Sequence, residues 1–361
     1  MSYPSGLLKG TKYLNDFVCY YKKAQEMEKK SLGKPYEEID DPLMENVHIY
    51  NITERKNAGF SNILEDMWRG NNKEQTFAGA KLPGILPMEK QCFDIYTWHY
   101  LFLLHRITGS GASFDPDHGY RNTVIPDLLQ YDNMFDMTQH IKSVRKPIFT
   151  SKGNQIPPFN KPNPPYDKGG IEYLCEVAPI LVCSYVDWLM NGEAPGQNEP
   201  RPVGIKEAVD WCLDWQSNFG WKRFKFVLTA FVMDTAEYYP QYVDPKSHCY
   251  YGKNALEAMD LLFGKYKYKP SIITKSKRYD VIMEYLCFLC KKSDNKDNYP
   301  YNIEDVLCDY IRYVENYVPK WYLDNIEYDK LLNNSLVPDH RNLLMEHYMN
   351  ILNKPPGLFD A

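Results

Sequence analysis

The stretch that decides the fold class is Phe224-Lys-Phe-Val-Leu-Thr-Ala-Phe-Val-Met-Asp-Thr-Ala-Glu-Tyr-Tyr239. Large apolar residues recur in it at the helical spacing i, i+3, i+4 and i+7: Phe224, Val227, Leu228 and Phe231. Such a spacing predicts an α-helix with one stripe that faces the core.

An acidic residue lies close to this predicted stripe. Asp234 follows Phe231 by three positions, so its side chain would project near the buried face of the helix. A carboxylate there is costly unless it is paired, and burial would raise its pKa toward that of a useful general base. An ion pair with Lys222 or Arg223, at the end of the preceding helix, is the alternative interpretation.

Helical patterns continue on both sides of this stretch. A charged leader occupies residues 1–45, and further helices are predicted at 92–106, 172–190, 205–219, 254–263, 279–291, 304–317 and 341–352. Alternating strand patterns are few and no internal repeat is present, which predicts a mostly α protein. We expect three consecutive segments: an N-terminal helical leader and mixed region (1–90), a catalytic core (91–265), and a basic segment with a helical C-terminal region (266–361).

Composition and charge bound the function classes. The 361 residues carry 42 basic and 47 acidic side chains, a net charge of −5, which argues against a generic nucleic-acid coat but allows a local basic groove. Nine scattered cysteines are typical of reduced thiols in the cytosol. The first ten residues lack the apolar core of a signal peptide. The uncharged stretch 177–186 is about half of a membrane span, so we expect no membrane association.

The first candidate site is the turn Thr108-Gly-Ser-Gly. Gly109 and Gly111 would let the backbone approach an anion closely. Hydroxyl donors and a positive charge flank the turn: Ser110, Ser113 and Arg106. Such a turn is also the shape of a helix-hairpin-helix tip, which contacts DNA phosphate through backbone N–H groups. An ordinary glycine C-cap is the alternative.

Two further segments combine phosphate-binding and base-reading residues. In His118-Gly-Tyr-Arg-Asn-Thr, Arg121 could clamp a phosphate and Asn122 could read a base edge, although a surface turn has the same composition. In Phe149-Thr-Ser-Lys-Gly-Asn-Gln, Lys152 suits phosphate, and two amides, Asn154 and Gln155, suit a pyrimidine edge.

Two basic segments could bind phosphate or DNA. Gly252-Lys253-Asn254 begins a helix, whose free N–H groups and Lys253 would attract an anion, although an ordinary helix start is the simpler interpretation. The run 265–278 contains no acid and offers a DNA-backbone contact, with a solvated loop as the alternative. Its predicted contacts are Lys265, Lys267, Lys269, Lys277 and Arg278.

No recognisable metal or hydrolase motif is present. The sequences G-x-S-x-G, H-E-x-x-H and Walker A do not occur. Cys287 and Cys290 form a single C-x-x-C without a second ligand pair, so we predict core cysteines and no metal site.

Taken in order, these segments resemble a known enzyme family over about residues 90–265. The matching sequences are Leu-His-Arg-Ile-Thr-Gly-Ser-Gly-Ala-Ser-Phe, His-Gly-Tyr-Arg-Asn-Thr, Phe-Thr-Ser-Lys-Gly-Asn-Gln-Ile-Pro-Pro-Phe-Asn-Lys-Pro, Phe-Val-Leu-Thr-Ala-Phe-Val-Met-Asp-Thr-Ala-Glu-Tyr and Gly-Lys-Asn-Ala. The chain resembles the bacteriophage thymine-hypermodification enzymes, which comprise the amino acid:DNA transferases and the α-glutamyl/putrescinyl-thymine pyrophosphorylases.

The resemblance implies a reaction and a fold. An amine from an amino acid or polyamine would displace pyrophosphate from pyrophosphorylated 5-hydroxymethyluracil in phage DNA, in the host cytoplasm. It also implies a helical core of the helix-hairpin-helix DNA glycosylase type, with long loops and helical terminal additions. In such a layout the key aspartate follows the hairpin, which makes Asp127 and Asp132 rivals of Asp234.

The candidate residues suit that chemistry. A flipped base needs an aromatic slot and amide readers, which Tyr120, Asn154 and Gln155 could supply. The attacking amine must be neutral, and Asp234 or His118 could accept its proton. Mg²⁺ could assist the leaving group, although no ligand cluster requires it.

Two other functions share these features. A glycosylase-like or lyase-like enzyme would act on the same base with water as the acceptor. A non-enzymatic phage DNA-binding protein would need the run 265–278 but not Asp234 or Asn154.

Overall fold

The structure is a computed structural model. It describes residues 10–41, 43–44, 53–57, 64–65, 68, 75–77, 80–82, 93–108, 131–144, 173–191, 202–218, 225–265 and 274–315. The chain divides into two compact units, a terminal unit formed by Met1–Ala58 with Tyr250–Ala361, and a central unit formed by Gly59–Cys249.

The described residues are mostly helical, which confirms the predicted mostly α class. The α-helices are α1 (Lys12–Ser31), α2 (Ile95–Thr108), α3 (Met134–Val144), α4 (Ala178–Met190), α5 (Ile205–Ser217), α6 (Lys225–Tyr238), α7 (Lys253–Phe263), α8 (Lys275–Leu289) and α9 (Pro300–Val314). The helix-hairpin-helix core stays a prediction, because its turn lies outside the described residues. The helix predicted at 341–352 also lies outside them.

Short elements complete the described fold. A 3-10 turn covers Arg55–Asn57, and a π-helical turn, Tyr173–Val177, leads directly into α4. The strands are β1 (Gln75–Phe77), β2 (Ala80–Leu82), β3 (Val203–Gly204) and β4 (Val243–Asp244). β1 pairs antiparallel with β2, with Thr76 opposite Lys81, and β3 pairs parallel with β4, with Val203 opposite Val243.

Helix α6 forms the middle of the central unit. Every residue from Val227 to Ala236 is buried, because both α2 and α5 pack against this helix. The sequence predicted a single core-facing stripe, whereas the structure buries the helix on all sides. Its polar side chains are satisfied locally, since Thr229 donates to the Lys225 carbonyl (2.7 Å) and Thr235 to the Phe231 carbonyl (3.3 Å).

The apolar segment that continues into α4 is the one candidate for a membrane span among the described residues. Tyr173–Met190 is long and apolar enough to cross a bilayer by length and composition, and half of it is buried inside the protein. Core helices of soluble proteins share this property. The predicted absence of membrane association stays a prediction.

The terminal unit joins the two ends of the chain. Thr11, the N-cap of α1, donates from its backbone N–H to the Leu262 carbonyl (2.7 Å), and Phe17 packs edge-on against Tyr310 (5.1 Å between ring centroids). The predicted leader 1–45 therefore contains a core helix, and α7 belongs with α8 and α9. The two units differ from the three consecutive segments expected from the sequence. The boundaries of the units depend on contacts between residues that are far apart in the chain, and these contacts cannot be read from the sequence alone.

The turn Arg55–Asn57 is fixed from both sides within the terminal unit. Glu28 of α1 accepts hydrogen bonds from the Thr53 hydroxyl, the Glu54 N–H (3.1 Å) and the Asn57 amide (3.0 Å). On the other side, the Arg55 N–H donates to Asn302 Oδ1 (2.9 Å) of α9. These contacts place the Arg55 guanidinium against α9.

Candidate functional site

Most of the predicted site residues, whether catalytic, phosphate-binding, base-reading or DNA-backbone contacts, lie outside the described part of the chain. They are Gly109, Ser110, Gly111, Ser113, His118, Tyr120, Arg121, Asn122, Asp127, Lys152, Asn154, Gln155, Lys267 and Lys269. The described candidates are Arg106, Asp132 and Asp234 in the central unit, and Lys253, Asn254, Lys265, Lys277 and Arg278 in the terminal unit.

Arg106 and Asp234 form a buried, two-pronged ion pair in the central unit. Arg106 Nε donates to Asp234 Oδ2 at 2.5 Å, and Arg106 Nη2 donates to Asp234 Oδ1 at 2.5 Å. The two residues are 4% and 3% exposed. This arrangement is the fork-to-fork geometry in which a guanidinium recognises a carboxylate most strongly.

The packing of α2 on α6 explains this pairing. One turn before Arg106, Phe102 stacks on Tyr238, which lies one turn after Asp234; their ring centroids are 5.1 Å apart. The aromatic contact and the ion pair thus form consecutive layers of the same helix interface. Because both side chains are buried, solvent and salt screen their interaction less than that of a surface pair.

The ion pair gives both residues a role that the sequence left open. Arg106 was predicted to bind phosphate beside the glycine turn, yet its Nε and Nη2 are directed at Asp234. Asp234 has a basic partner, as the alternative interpretation required, but that partner is Arg106 and comes from 128 residues away. Lys222 and Arg223 lie outside the described residues.

A histidine that the sequence reading missed lies on the same face of α2. His99 precedes Arg106 by seven residues, is fully buried, and stacks on Tyr239 at 4.9 Å between ring centroids. Its Nδ1 is 2.7 Å from the Ile95 carbonyl oxygen, so Nδ1 carries the proton. Burial lowers the pKa of His99 to about 4, so the ring is neutral at pH 7. The sequence feature that could have identified His99 is its i, i+3, i+7 spacing with Phe102 and Arg106, which places the three residues on one face of the helix.

Asp132 has a different environment. It is exposed, and it comes two residues before the first residue of α3. Its rival Asp127 lies outside the described residues.

The start of α7 is already in contact with a carboxyl group of the protein. The Gly252 N–H donates to Glu304 Oε1 of α9 at 2.8 Å. A Cβ added at Gly252 would lie 3.0 Å from that oxygen, which explains why glycine fits here. Lys253 is exposed, with its Nζ 4.0 Å from Glu257 Oε1, and Asn254 is half-buried. The predicted phosphate site at this helix start therefore coincides with an internal carboxylate contact.

The basic run 265–278 contains two kinds of residue. Lys265 and Lys277 are exposed. Arg278 is buried, and its guanidinium donates to the Gly264 carbonyl (2.6 Å), the Phe263 carbonyl (3.3 Å) and Asp260 Oδ1 (3.2 Å). Arg278 thus satisfies carbonyl groups at the C-terminal end of α7. The predicted helix 279–291 begins earlier, at Lys275, with Thr274 as its N-cap.

Metal-ligating side chains do not converge within the described residues. No group of three or more His, Cys, Asp or Glu side chains there could hold a metal ion. Cys287 and Cys290 are both buried and unbonded to another cysteine.

Comparison of the chain with protein-family models, with curated proteins and with solved structures gave no match.

Proposed function

We propose that the protein transfers an amine-bearing group to a modified thymine in phage DNA. The amine nitrogen of an amino acid or polyamine attacks the exocyclic methylene carbon of pyrophosphorylated 5-hydroxymethyluracil. The carbon–oxygen bond to pyrophosphate breaks, the pyrophosphate departs, and the nitrogen loses a proton to a base.

The observation that carries this proposal is the Arg106–Asp234 pair. Arg106 belongs to the segment that resembles the family's glycine turn, and Asp234 belongs to the segment Phe-Val-Met-Asp-Thr-Ala-Glu-Tyr. Two segments that are remote in sequence meet in one buried contact. This convergence supports a shared role, because removing either partner would leave an uncompensated buried charge, so the positions of the two segments depend on each other.

Asp234 then acts as a positioning residue. Its oxygens are engaged by Arg106, which lies three residues before Gly109 of the turn. We assign the pair the task of orienting the turn, whose N–H groups and hydroxyls would bind the departing pyrophosphate with Arg121 and Lys152. The proton of the attacking amine then goes to His118, the other candidate base.

The proposal is tested by pyrophosphate release from defined DNA. The full chain should release pyrophosphate from duplexes that contain pyrophosphorylated 5-hydroxymethyluracil, and only when an amine is present. The matched control is the same duplex with unphosphorylated 5-hydroxymethyluracil. Release that does not depend on an amine would instead support water as the acceptor.

The lysines of the run 265–278 should contribute to DNA affinity without determining which base is modified. Replacing Lys267, Lys269 and Lys277 by alanine should weaken binding to any duplex and reduce the slope of log K against log salt by about 0.9 per lost phosphate contact. Fluorescence anisotropy at several salt concentrations measures this.

The neighbouring Arg278 provides the matched contrast. Arg278→Ala should lower the thermal midpoint, because it removes the donors at the end of α7, and should leave the salt slope unchanged. An unchanged slope in the triple lysine variant would show that this run does not contact the DNA backbone.

A further inference from the structure

Three carboxyl groups and two guanidinium groups form a cluster along α9 in the terminal unit. Arg55 Nη1 is 2.9 Å from Asp305 Oδ2, and Arg312 Nη1 is 3.0 Å from Asp309 Oδ1. Glu304, only 4% exposed, contacts no guanidinium; its Oε1 accepts from the Gly252 N–H (2.8 Å) and from Cys308 Sγ (3.5 Å).

Glu304 differs from the two aspartates of this cluster in its contacts. Asp305 and Asp309 each contact a guanidinium, whereas the buried Glu304 carboxyl does not. A buried carboxylate without a cation is costly, and the ordinary response is to bind a proton. Glu304 is the member whose contacts are a backbone N–H and a thiol.

Within the described residues, the other elements packed on α9 bring no ammonium or guanidinium group into contact with Glu304. From α7, Lys253 is 80% exposed and directed at Glu257. From α8, Arg278 is engaged by Asp260 and the α7 carbonyls. From α1, the acid Asp16 acts on Tyr310, and Lys23 is paired with Asp41, which also accepts from the Tyr313 hydroxyl of α9.

We infer that the junction of α7 and α9 is a pH-sensitive element, in which the folded protein keeps a proton on the Glu304 carboxyl and loses stability when that proton leaves. The ionised carboxylate still accepts from the Gly252 N–H, but it places a buried negative charge near Asp305. Loss of the proton therefore weakens the packing of α9 on α7.

The electrostatics of the site support this inference. Burial, with a contribution from Asp305, raises the pKa of Glu304 to about 7, while the Gly252 N–H, Cys308 and Arg55 oppose the rise. Burial also raises the pKa of Asp309 to about 8 against the opposing effect of Arg312. In the unfolded chain a glutamate releases its proton near pH 4.3, so the folded state binds more protons above that pH. The free energy of unfolding therefore falls as pH rises from about 4.3 through about 7.

Carboxyl ¹³C NMR of the full chain, labelled at the glutamate side-chain carboxyl, tests the proton directly. One glutamate signal should titrate with a midpoint near 7. That signal should be missing from Glu304→Gln, whose amide oxygen can still accept from the Gly252 N–H. If every glutamate signal titrates near the ordinary value of about 4.3, the inference is overturned.

Thermal unfolding tests the link to stability. The wild-type midpoint should fall between about pH 5 and about pH 8, and Glu304→Gln should show a smaller fall, with Asp309 supplying the remainder. The control Glu257→Gln, on the exposed side of α7, should keep the wild-type fall. An equal fall in Glu304→Gln and wild type would contradict the inference.

A second variant keeps the test decisive if Glu304→Gln does not fold. Asp305→Asn removes the neighbouring negative charge that raises the pKa of Glu304, so it should move the glutamate midpoint toward lower pH. An unchanged or higher midpoint in Asp305→Asn would count against the cluster as its cause.

Discussion

Replacing Arg106 by methionine is expected to lower the free energy of unfolding by about 3–5 kcal/mol, the typical cost of breaking a buried ion pair by removing one partner. The reason is that Asp234, 3% exposed, would be left without the guanidinium that binds both of its oxygens. Urea denaturation followed by circular dichroism measures the change.

Two further variants make this expectation specific. The double variant Arg106→Met with Asp234→Leu should recover most of the loss, because it removes both charges from the α2–α6 interface. Lys142→Met disrupts the more exposed pair with Glu176 (3.9 Å) and should cost less than about 1 kcal/mol. If Arg106→Met costs no more than Lys142→Met, the pair has no structural importance.

Replacing His118 by glutamine is expected to lower kcat of the proposed transfer by about 10²–10⁴-fold, the usual contribution of a positioned base. Because a base must be unprotonated to accept the proton of the amine, the rise of kcat with pH in wild type should vanish in His118→Gln. Single-turnover rates over a pH series measure both effects.

A variant of Asp132 distinguishes a histidine base from an aspartate base. Asp132 is exposed ahead of α3, so Asp132→Asn should retain turnover. Full turnover in His118→Gln, or its loss in Asp132→Asn with stability unchanged, would move the base to the aspartate.

The sequence predicted most of the described helices because their signal is local, but it missed α3 (Met134–Val144). The apolar spacing around Phe231 and the Gly252-Lys253-Asn254 start of α7 both lie within a few residues of the elements that they define. The observed helix ends differ from the predicted ones by a few residues. Helix α8, for example, begins at Lys275 and not at residue 279, because the Thr274 side chain caps it by accepting from the Lys277 N–H.

The partners of charged side chains were not predictable in the same way. Asp234 was recognised as a buried acid, but its partner is 128 residues away. Glu304 accepts a hydrogen bond from the N–H of Gly252, which is 52 residues away in the sequence. Arg278, which was predicted to contact DNA, donates to carbonyl groups at the C-terminal end of α7. Such contacts depend on tertiary packing, and nothing in the spacing of a single chain distinguishes an exposed arginine from a capping one.

The high tyrosine content has a partly structural explanation. The chain contains 30 tyrosines among 361 residues, and tyrosine suits both wet interfaces and cores. In the described residues several tyrosines are core side chains, among them Tyr100, Tyr185 and Tyr301. These buried tyrosines are therefore explained by core packing and give no support to base stacking. Tyr120, outside the described residues, is still predicted to stack on a flipped base.

The most direct test of the proposed transfer is the mass of the modified nucleoside. Duplex DNA that contains pyrophosphorylated 5-hydroxymethyluracil is incubated with the full chain and a mixture of amino acids and polyamines, then digested to nucleosides for mass spectrometry. The proposed function predicts a nucleoside heavier than 5-hydroxymethyldeoxyuridine by the transferred amine less one water. Recovery of 5-hydroxymethyldeoxyuridine, of an abasic product, or of unchanged substrate with every amine would contradict it.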